Sequence, residues 1–144
     1  MAESIIFLEC TLSEATENYK NVISGGLLEK IQGEEIYKYK NVYIHSLSNK
    51  WVVIETEDGE CYDPNIVVQI AGEKRCIYIY INEDLLEGEL VVIESGKIVR
   101  KLLDYYSTPE LNKNIGRIDY EKQKEINNWV DIGEYMDYLF DGAL

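Results

Sequence analysis

Hydrophobic residues change their spacing at Ile36, and this change limits the chain to folds that combine helices with a sheet. Before it, Ala15, Tyr19 and Val22 recur at the period of an α-helix. From Ile36 onward, apolar residues mostly alternate with polar ones, which is the period of a half-buried β-strand. The sequence therefore predicts an α+β fold.

Several segments have the length and the β-branched or aromatic content of strands. They are residues 4–10, 36–39, 42–47, 51–56, 76–81, 89–93 and 97–103. Ser48-Asn49 and Ser95-Gly96 lie between neighbouring segments and suit tight hairpin turns. Because hairpins join antiparallel strands, we expect residues 42–103 to form a single, mainly antiparallel sheet.

Helix signals occur at both ends of the chain. Thr11-Leu12-Ser13-Glu14 has the form of a capping box, and Gly25-Gly26 supplies a stop before a short apolar group at residues 27–31. Near the other end, helical spacing is shown by Ile132, Tyr135, Met136, Leu139 and Phe140. We expect an N-terminal helix and C-terminal amphipathic helices, including residues 132–140, to pack on the sheet.

Residues 63–72 are ambiguous. Asp63 followed by Pro64 is a favourable helix start, and Gly72 is a favourable helix end. The β-branched residues between them fit a strand almost as well. Helix is the preferred interpretation, and strand stays open.

The length of 144 residues suits one α+β domain that spans residues 1–144. Its apolar runs are much shorter than the roughly 20 residues that a membrane-crossing helix needs. The first residues, Met1-Ala2-Glu3-Ser4, lack the positive charge that precedes a secretory segment. We expect a cytoplasmic protein that does not bind membranes.

Catalytic motifs are missing from the sequence. The single histidine, His45, lies within a predicted strand beside Tyr43 and Leu47, where a structural role is the simpler interpretation. Cys10, Cys61 and Cys76 are widely spaced and are expected to be free, mostly buried thiols. The sequence predicts no enzyme activity, no cofactor and no metal site. Replacement of His45 or a cysteine should affect stability more than partner binding.

The formal net charge is −13, from 27 acidic and 14 basic side chains spread along the chain. This charge opposes binding to nucleic acid, which depends on Lys and Arg that neutralise phosphates. A basic protein is the natural complement. Negative charge also keeps many proteins in solution, so charge alone does not decide the function.

Acidic turns and tyrosines form the predicted partner-binding surface. Carboxylates suit a basic partner, and tyrosine provides rigid contact area with a polar tip. The candidates are Glu55, Glu57, Asp58, Glu60, Glu83, Asp84, Tyr105 and Tyr106.

The second half of the chain resembles a known family. The resemblance rests on RCIYIYINED at residues 75–84, GELVVIESGK at 88–97, DYY at 104–106 and INNWVD at 126–131, before an amphipathic terminal helix. In this element order, residues 34–144 are similar to immunity proteins of bacterial polymorphic-toxin and contact-dependent growth inhibition systems. The resemblance includes no catalytic motif.

This resemblance implies a cytoplasmic antidote that binds the C-terminal toxin domain of a cognate effector. Such toxins are often basic nucleases, which an acidic inhibitor would complement. The resemblance transfers no site residues, because immunity proteins vary most where they contact their toxins.

Two other functions stay open. An acidic protein that mimics nucleic acid would also be small and negative, but should present regularly spaced carboxylates on an elongated surface. A small hydrolase would need two acids that converge in a deep pocket.

Overall fold

The structure of the protein, a computed structural model, describes residues 2–144. Within that range the chain forms one sheet of nine antiparallel strands, which confirms the predicted α+β fold and antiparallel sheet. The strands are β1 (Ala2–Glu9), β2 (Glu29–Lys30), β3 (Ile36–Tyr39), β4 (Val42–Ser46), β5 (Trp51–Glu57), β6 (Cys76–Asn82), β7 (Glu87–Glu94), β8 (Lys97–Tyr105) and β9 (Lys113–Gly116). The sequence does not predict the short edge strands β2 and β9, and it indicates a helical turn within residues 27–31, where β2 lies instead.

The first strand lies in the middle of the sheet. The strand order is β2-β3-β4-β5-β1-β6-β7-β8-β9, so one antiparallel meander extends from each side of β1. Ile6 lies opposite Ile54 of β5 and Tyr78 of β6. Residues 5–8 of β1 are all buried, which explains their unbroken apolar character.

Helices cover both faces of the sheet. The helices are α1 (Leu12–Tyr19), α2 (Pro64–Ala71) and α3 (Trp129–Tyr138). Helices α1 and α2 pack on the face of β1 that contains Ile6 and Leu8. Helix α3 packs on the opposite face, which contains Ile5 and Phe7. Among residues 2–144, no helix is long and apolar enough to cross a bilayer.

Side-chain caps determine where the helices begin. Thr11 and Glu14 form the predicted capping box, and the α1 helix continues through a π-helical turn (Lys20–Ser24) and a 3₁₀ turn (Gly25–Leu27). The Asp63 carboxylate accepts a hydrogen bond from the Asn65 amide at the start of α2. This cap confirms the helical interpretation of residues 63–72.

Arg100 is a fully buried cation on the α3 side of β8. All of its guanidinium nitrogens donate hydrogen bonds: to both oxygens of Glu121 (2.6 and 3.3 Å), to the Asn114 side chain (2.8 Å) and to the carbonyls of Ile115 (3.0 Å) and Ile126 (2.8 Å). The cation thus joins β8 to β9 and to the segment that leads into α3. Its charge is compensated because Glu121 is buried with it.

Gly116 allows this arrangement at the edge of the sheet. It lies opposite Arg100, with a φ of 77°, and a Cβ there would lie 2.1 Å from the Val99 carbonyl oxygen. Only glycine fits that close approach without a shift of the backbone. The position ends β9 and turns the chain toward Glu121.

Replacement of Arg100 by methionine should lower the free energy of unfolding by about 3–5 kcal/mol, because the Glu121 carboxylate would stay buried without its partner. Chemical denaturation measures the loss. The matched control is Arg117→Met, since Arg117 approaches the same carboxylate (3.6 Å) but is 58% exposed, and its loss should cost less than about 1 kcal/mol. The double variant Arg100→Met with Glu121→Leu should regain stability relative to Arg100→Met alone. Equal losses for the two single variants would contradict this role of Arg100.

Candidate functional site

Strand pairing brings the predicted partner-binding residues to one end of the sheet. Glu57, the last residue of β5, lies opposite Glu3 of β1. On the other side of β1, Asn82 lies opposite Glu87, which lies opposite Tyr105 of β8. The carboxylate turns after β5 and β6 and the tyrosine pair at the end of β8 are therefore at the same end of the sheet.

Part of this end forms a pocket of about 500 Å³ with an acidic rim and an apolar floor. We call it the acidic pocket. Its residues are Glu3, Glu55, Glu57 and Asp58 at the rim, with Ile5, Thr56, Met136 and Phe140 as the remaining lining. The predicted residues Glu55, Glu57 and Asp58 thus share one site.

The loop that carries Asp58 is attached to the sheet by hydrogen bonds. The Ser4 hydroxyl donates to the Glu60 carbonyl (2.8 Å), and the Tyr62 amide donates to the buried Tyr78 hydroxyl (2.8 Å). The hydroxyls of Thr56 and Tyr62 are 2.8 Å apart. These contacts hold the acidic turn against the ends of β1, β5 and β6.

Helix α3 positions the floor of the acidic pocket. The Trp129 amide at its first turn donates to the Asp104 carboxylate of β8 (2.8 Å). Beyond its other end, the Phe140 ring packs on Phe7 at a centroid distance of 5.1 Å. Met136, between these contacts, lines the pocket. The helix therefore crosses the sheet from β8 toward β1.

Like charges face each other at the rim. Glu3 and Glu57 are directly opposite on adjacent antiparallel strands, an arrangement that costs stability. No Lys or Arg lines the acidic pocket. Within residues 2–144, no cation forms an ion pair with Glu3, Glu57 or Asp58. Glu3, Glu57 and Asp58 therefore carry negative charge with no ion-pair partner among these described residues.

Glu55 is the rim residue with a histidine partner. One of its oxygens is 2.9 Å from Nε2 of His45, and the two side chains are 37% and 31% exposed. The hydrogen bond to Glu55 raises the pKa of His45 above its ordinary value of 6.5, although partial burial opposes the shift. His45 thus belongs to the surroundings of the acidic pocket.

The other predicted residues do not line the acidic pocket. Glu60 lines a neighbouring depression together with Cys61 and Leu85, and Glu83 and Asp84 lie in the turn between β6 and β7. Tyr105 is half-buried, and its hydroxyl donates to the Glu89 carboxylate rather than being free for a partner. Tyr106 is 73% exposed.

Sequence reasoning missed three contributors to the acidic pocket. The sequence does not indicate a role for Glu3, because its position opposite Glu57 depends on strand order. The periodicity of the terminal helix predicts that Met136 and Phe140 lie on its core-facing stripe. Phe140 does pack on Phe7, but both side chains also line the acidic pocket, and Phe140 stays 36% exposed.

Glu89 is a buried carboxylate on the opposite face of the sheet, 3% exposed. Within the described chain, its Oε1 accepts no hydrogen bond. Burial raises the pKa of Glu89 above its ordinary value, and the nearby Glu87 carboxylate adds to that shift. Contacts with Tyr105 and Cys61 offset only part of it.

The three cysteines are free, and Cys76 is buried as predicted. Cys10 is half-buried. The prediction was wrong for Cys61, which is exposed because it lies in the loop after β5 rather than in a strand. Although the Cys61 residue as a whole is exposed, its sulfur is partly buried, and partial burial of the sulfur raises the pKa of the Cys10 and Cys61 thiols to about 11, with a further contribution from Glu89 at Cys61. Both are therefore poor nucleophiles near neutral pH.

In residues 2–144, no group of three or more His, Cys, Asp or Glu side chains has an arrangement that could hold a metal ion. In the comparisons with known proteins, no family model, curated protein or solved structure matches the chain.

The hydrogen bond between His45 and Glu55 should make stability depend on pH. Because the folded-state pKa of His45 is raised, its contribution is complete below about pH 6.5 and is lost as pH rises through the folded pKa. His45→Gln should remove this dependence, as measured by denaturation between pH 5 and 8. NMR titration of the single histidine should give a pKa above 6.5 that falls in Glu55→Gln. An unchanged pKa in that variant would contradict the assignment.

Proposed function

We propose that the protein is an immunity protein that binds and neutralises a basic toxin domain, and that the acidic pocket receives a Lys or Arg side chain of that domain. The observation that carries the proposal is the uncompensated pair Glu3 and Glu57 above an apolar floor. In this proposal the protein is not an enzyme and acts in the cytoplasm.

A long basic side chain matches both parts of the acidic pocket. Its methylene stem can pack on Ile5, Met136 and Phe140, while its charged end reaches the rim carboxylates. Its charge would also relieve the repulsion between Glu3 and Glu57, so that part of the cost present in the free protein is recovered on binding.

Neutralisation follows from the chemistry of the proposed target. A nuclease holds its substrate with Lys and Arg side chains that contact phosphates. An acidic protein that occupies the same basic surface competes with the substrate for those side chains. The net charge of −13 would also speed the encounter by long-range attraction.

Under this proposal the cognate toxin domain is expected to be encoded by the neighbouring upstream gene. Charge reversal of Glu57→Lys with Asp58→Lys should slow association with that basic domain by roughly tenfold or more at low salt, with less difference at high salt. Binding kinetics over a range of salt concentrations measure the effect. The matched control is Glu34→Lys with Glu35→Lys, an equal charge change in an exposed loop at the opposite end of the sheet. Association that does not depend on salt, or the absence of a basic partner, would count against the antidote function.

The control variant Glu34→Lys with Glu35→Lys also distinguishes the antidote function from a nucleic-acid mimic and from a hydrolase. A nucleic-acid mimic depends on charge distributed over its surface, so both double variants should weaken binding to a similar extent. A carboxylate-dependent hydrolase would show turnover in the wild type that is lost on substitution of the rim acids.

Glu3→Gln should stabilise the free protein by about 0.2–1 kcal/mol, because it removes one of two carboxylates that lie directly opposite each other. The same variant should bind the partner more weakly. Denaturation and binding measurements on one preparation test both effects. Lower stability together with unchanged affinity would show that the pair has no role in binding.

A further inference from the structure

A second concave surface lies at the start of α3, at the same end of the sheet as the acidic pocket. We call it the aromatic groove. It has a volume of about 540 Å³ and lies between the turn before β7, the segment after β8 and the first turn of α3. The residues that matter here are Leu86, Asp104, Tyr106, Pro109, Trp129 and Val130.

Large apolar side chains on the aromatic groove are accessible to solvent. Tyr106 is 73% exposed, Val130 49% and Leu86 41%, whereas Trp129 is half-buried beneath them. Gly88 of β7 makes this packing possible, since a Cβ there would lie 2.9 Å from the Cβ of Trp129. Burial of this apolar area against a partner would be favourable.

Leu86 has a backbone conformation that is unfavourable for leucine. Its φ is +54°, in the left-handed region that glycine and asparagine normally occupy in turns. Folding stability alone therefore favours glycine at this position. The leucine nevertheless presents its side chain at the groove, and strain of this kind is often found at binding sites.

The charged side chain that lines the aromatic groove is acidic. No Lys or Arg lines it, whereas Asp104 does. Glu83 is in the same turn as Leu86, and Glu110 follows Pro109 in the chain; both are exposed. A partner segment with an apolar side chain between basic residues would complement both the apolar surface and the acids around it.

Helix α3 connects this groove to the acidic pocket. Val130 lies in the groove and Met136 in the pocket, which places the two sites about 9 Å apart along the helix axis. Between them, Gly133 lies over Ile81 of β6. One partner surface can therefore contact both sites.

We propose that the aromatic groove receives a large apolar side chain flanked by basic residues on the same partner that occupies the acidic pocket. This inference rests on the proposed function and adds the second contact of the interface. The acidic pocket would steer the encounter, while the groove would hold the partner after docking.

The proposal for the aromatic groove is tested by measuring how hexapeptides with blocked, uncharged termini bind to the full chain. Trp129 fluorescence reports occupancy, because the other tryptophan, Trp51, is buried. The peptide KKFLKK should give a saturable change that is absent for KKSGKK, which lacks the apolar pair, and for EEFLEE, which carries the opposite charge. Trp129→Phe should abolish the signal.

Leu86→Gly is the decisive variant. Because glycine suits the positive φ, the variant should fold at least as stably as the wild type, yet bind KKFLKK roughly tenfold more weakly. Tyr106→Ser should weaken binding in the same way. The matched control is Leu27→Ser, since Leu27 is 68% exposed and lies far along the chain in the turn after α1; it should bind normally.

Equal binding of KKFLKK to wild type and Leu86→Gly, equal binding of EEFLEE, or no saturable change would overturn the inference. These outcomes are distinct from failure of the proposed function. If a basic protein partner binds Leu86→Gly with full affinity, the aromatic groove is not part of the interface, and the proposed antidote function is unaffected. If KKFLKK binds at the aromatic groove but charge reversal at Glu57 and Asp58 changes the binding of no basic protein, the groove is a binding site and the proposed antidote function is wrong.

Discussion

The Arg100 guanidinium holds together parts of the chain that have few other reasons to meet. Its hydrogen bonds join strand β8 to the carbonyls of Ile115 and Ile126 and to the buried Glu121 carboxylate. A buried cation is tolerated only when its donors are satisfied, so the surrounding segments must adopt this arrangement together. The position of α3 depends on it, because Ile126 is anchored just before that helix begins. Both proposed binding surfaces lie along α3.

The central position of β1 imposes a second condition. A strand between two meanders, with helices on both faces, is surrounded by apolar side chains, so polar residues are restricted to its ends. The same applies in part to β5 and β6 on either side. Carboxylates from turns far apart in the chain consequently collect at one end of the sheet, where Met136 and Phe140 line the same pocket. The surface charge of the protein is therefore organised by the topology of the sheet.

Features that lower stability are concentrated at this end of the sheet. Glu3 and Glu57 repel each other, Leu86 has a positive φ, and Glu89 is buried with one oxygen that accepts no hydrogen bond from residues 2–144. Each would be easy to replace with a residue that favours folding. Binding surfaces commonly retain such costs because the partner supplies the missing interaction. For Glu3 and Leu86 the proposed partner does so, with a cation and an apolar side chain respectively. Glu89 has no assigned role in binding.

Local patterns in the sequence determined the α+β class, the longer strands, the Thr11 capping box and the amphipathic character of the terminal helix. These features depend on neighbours within a few residues, where periodicity and capping chemistry act directly. Three-dimensional packing alone decided that β1 is central, that Glu3 faces Glu57, and that Phe140 lines a pocket instead of filling the core. Arg100 is an intermediate case. It is two residues before Leu102 in β8, so the strand period predicts that both side chains point inward, but its hydrogen-bond partners are 14 to 26 residues away in the sequence. Strand order and burial of charge depend on contacts between distant segments, whose energies no short stretch of sequence contains.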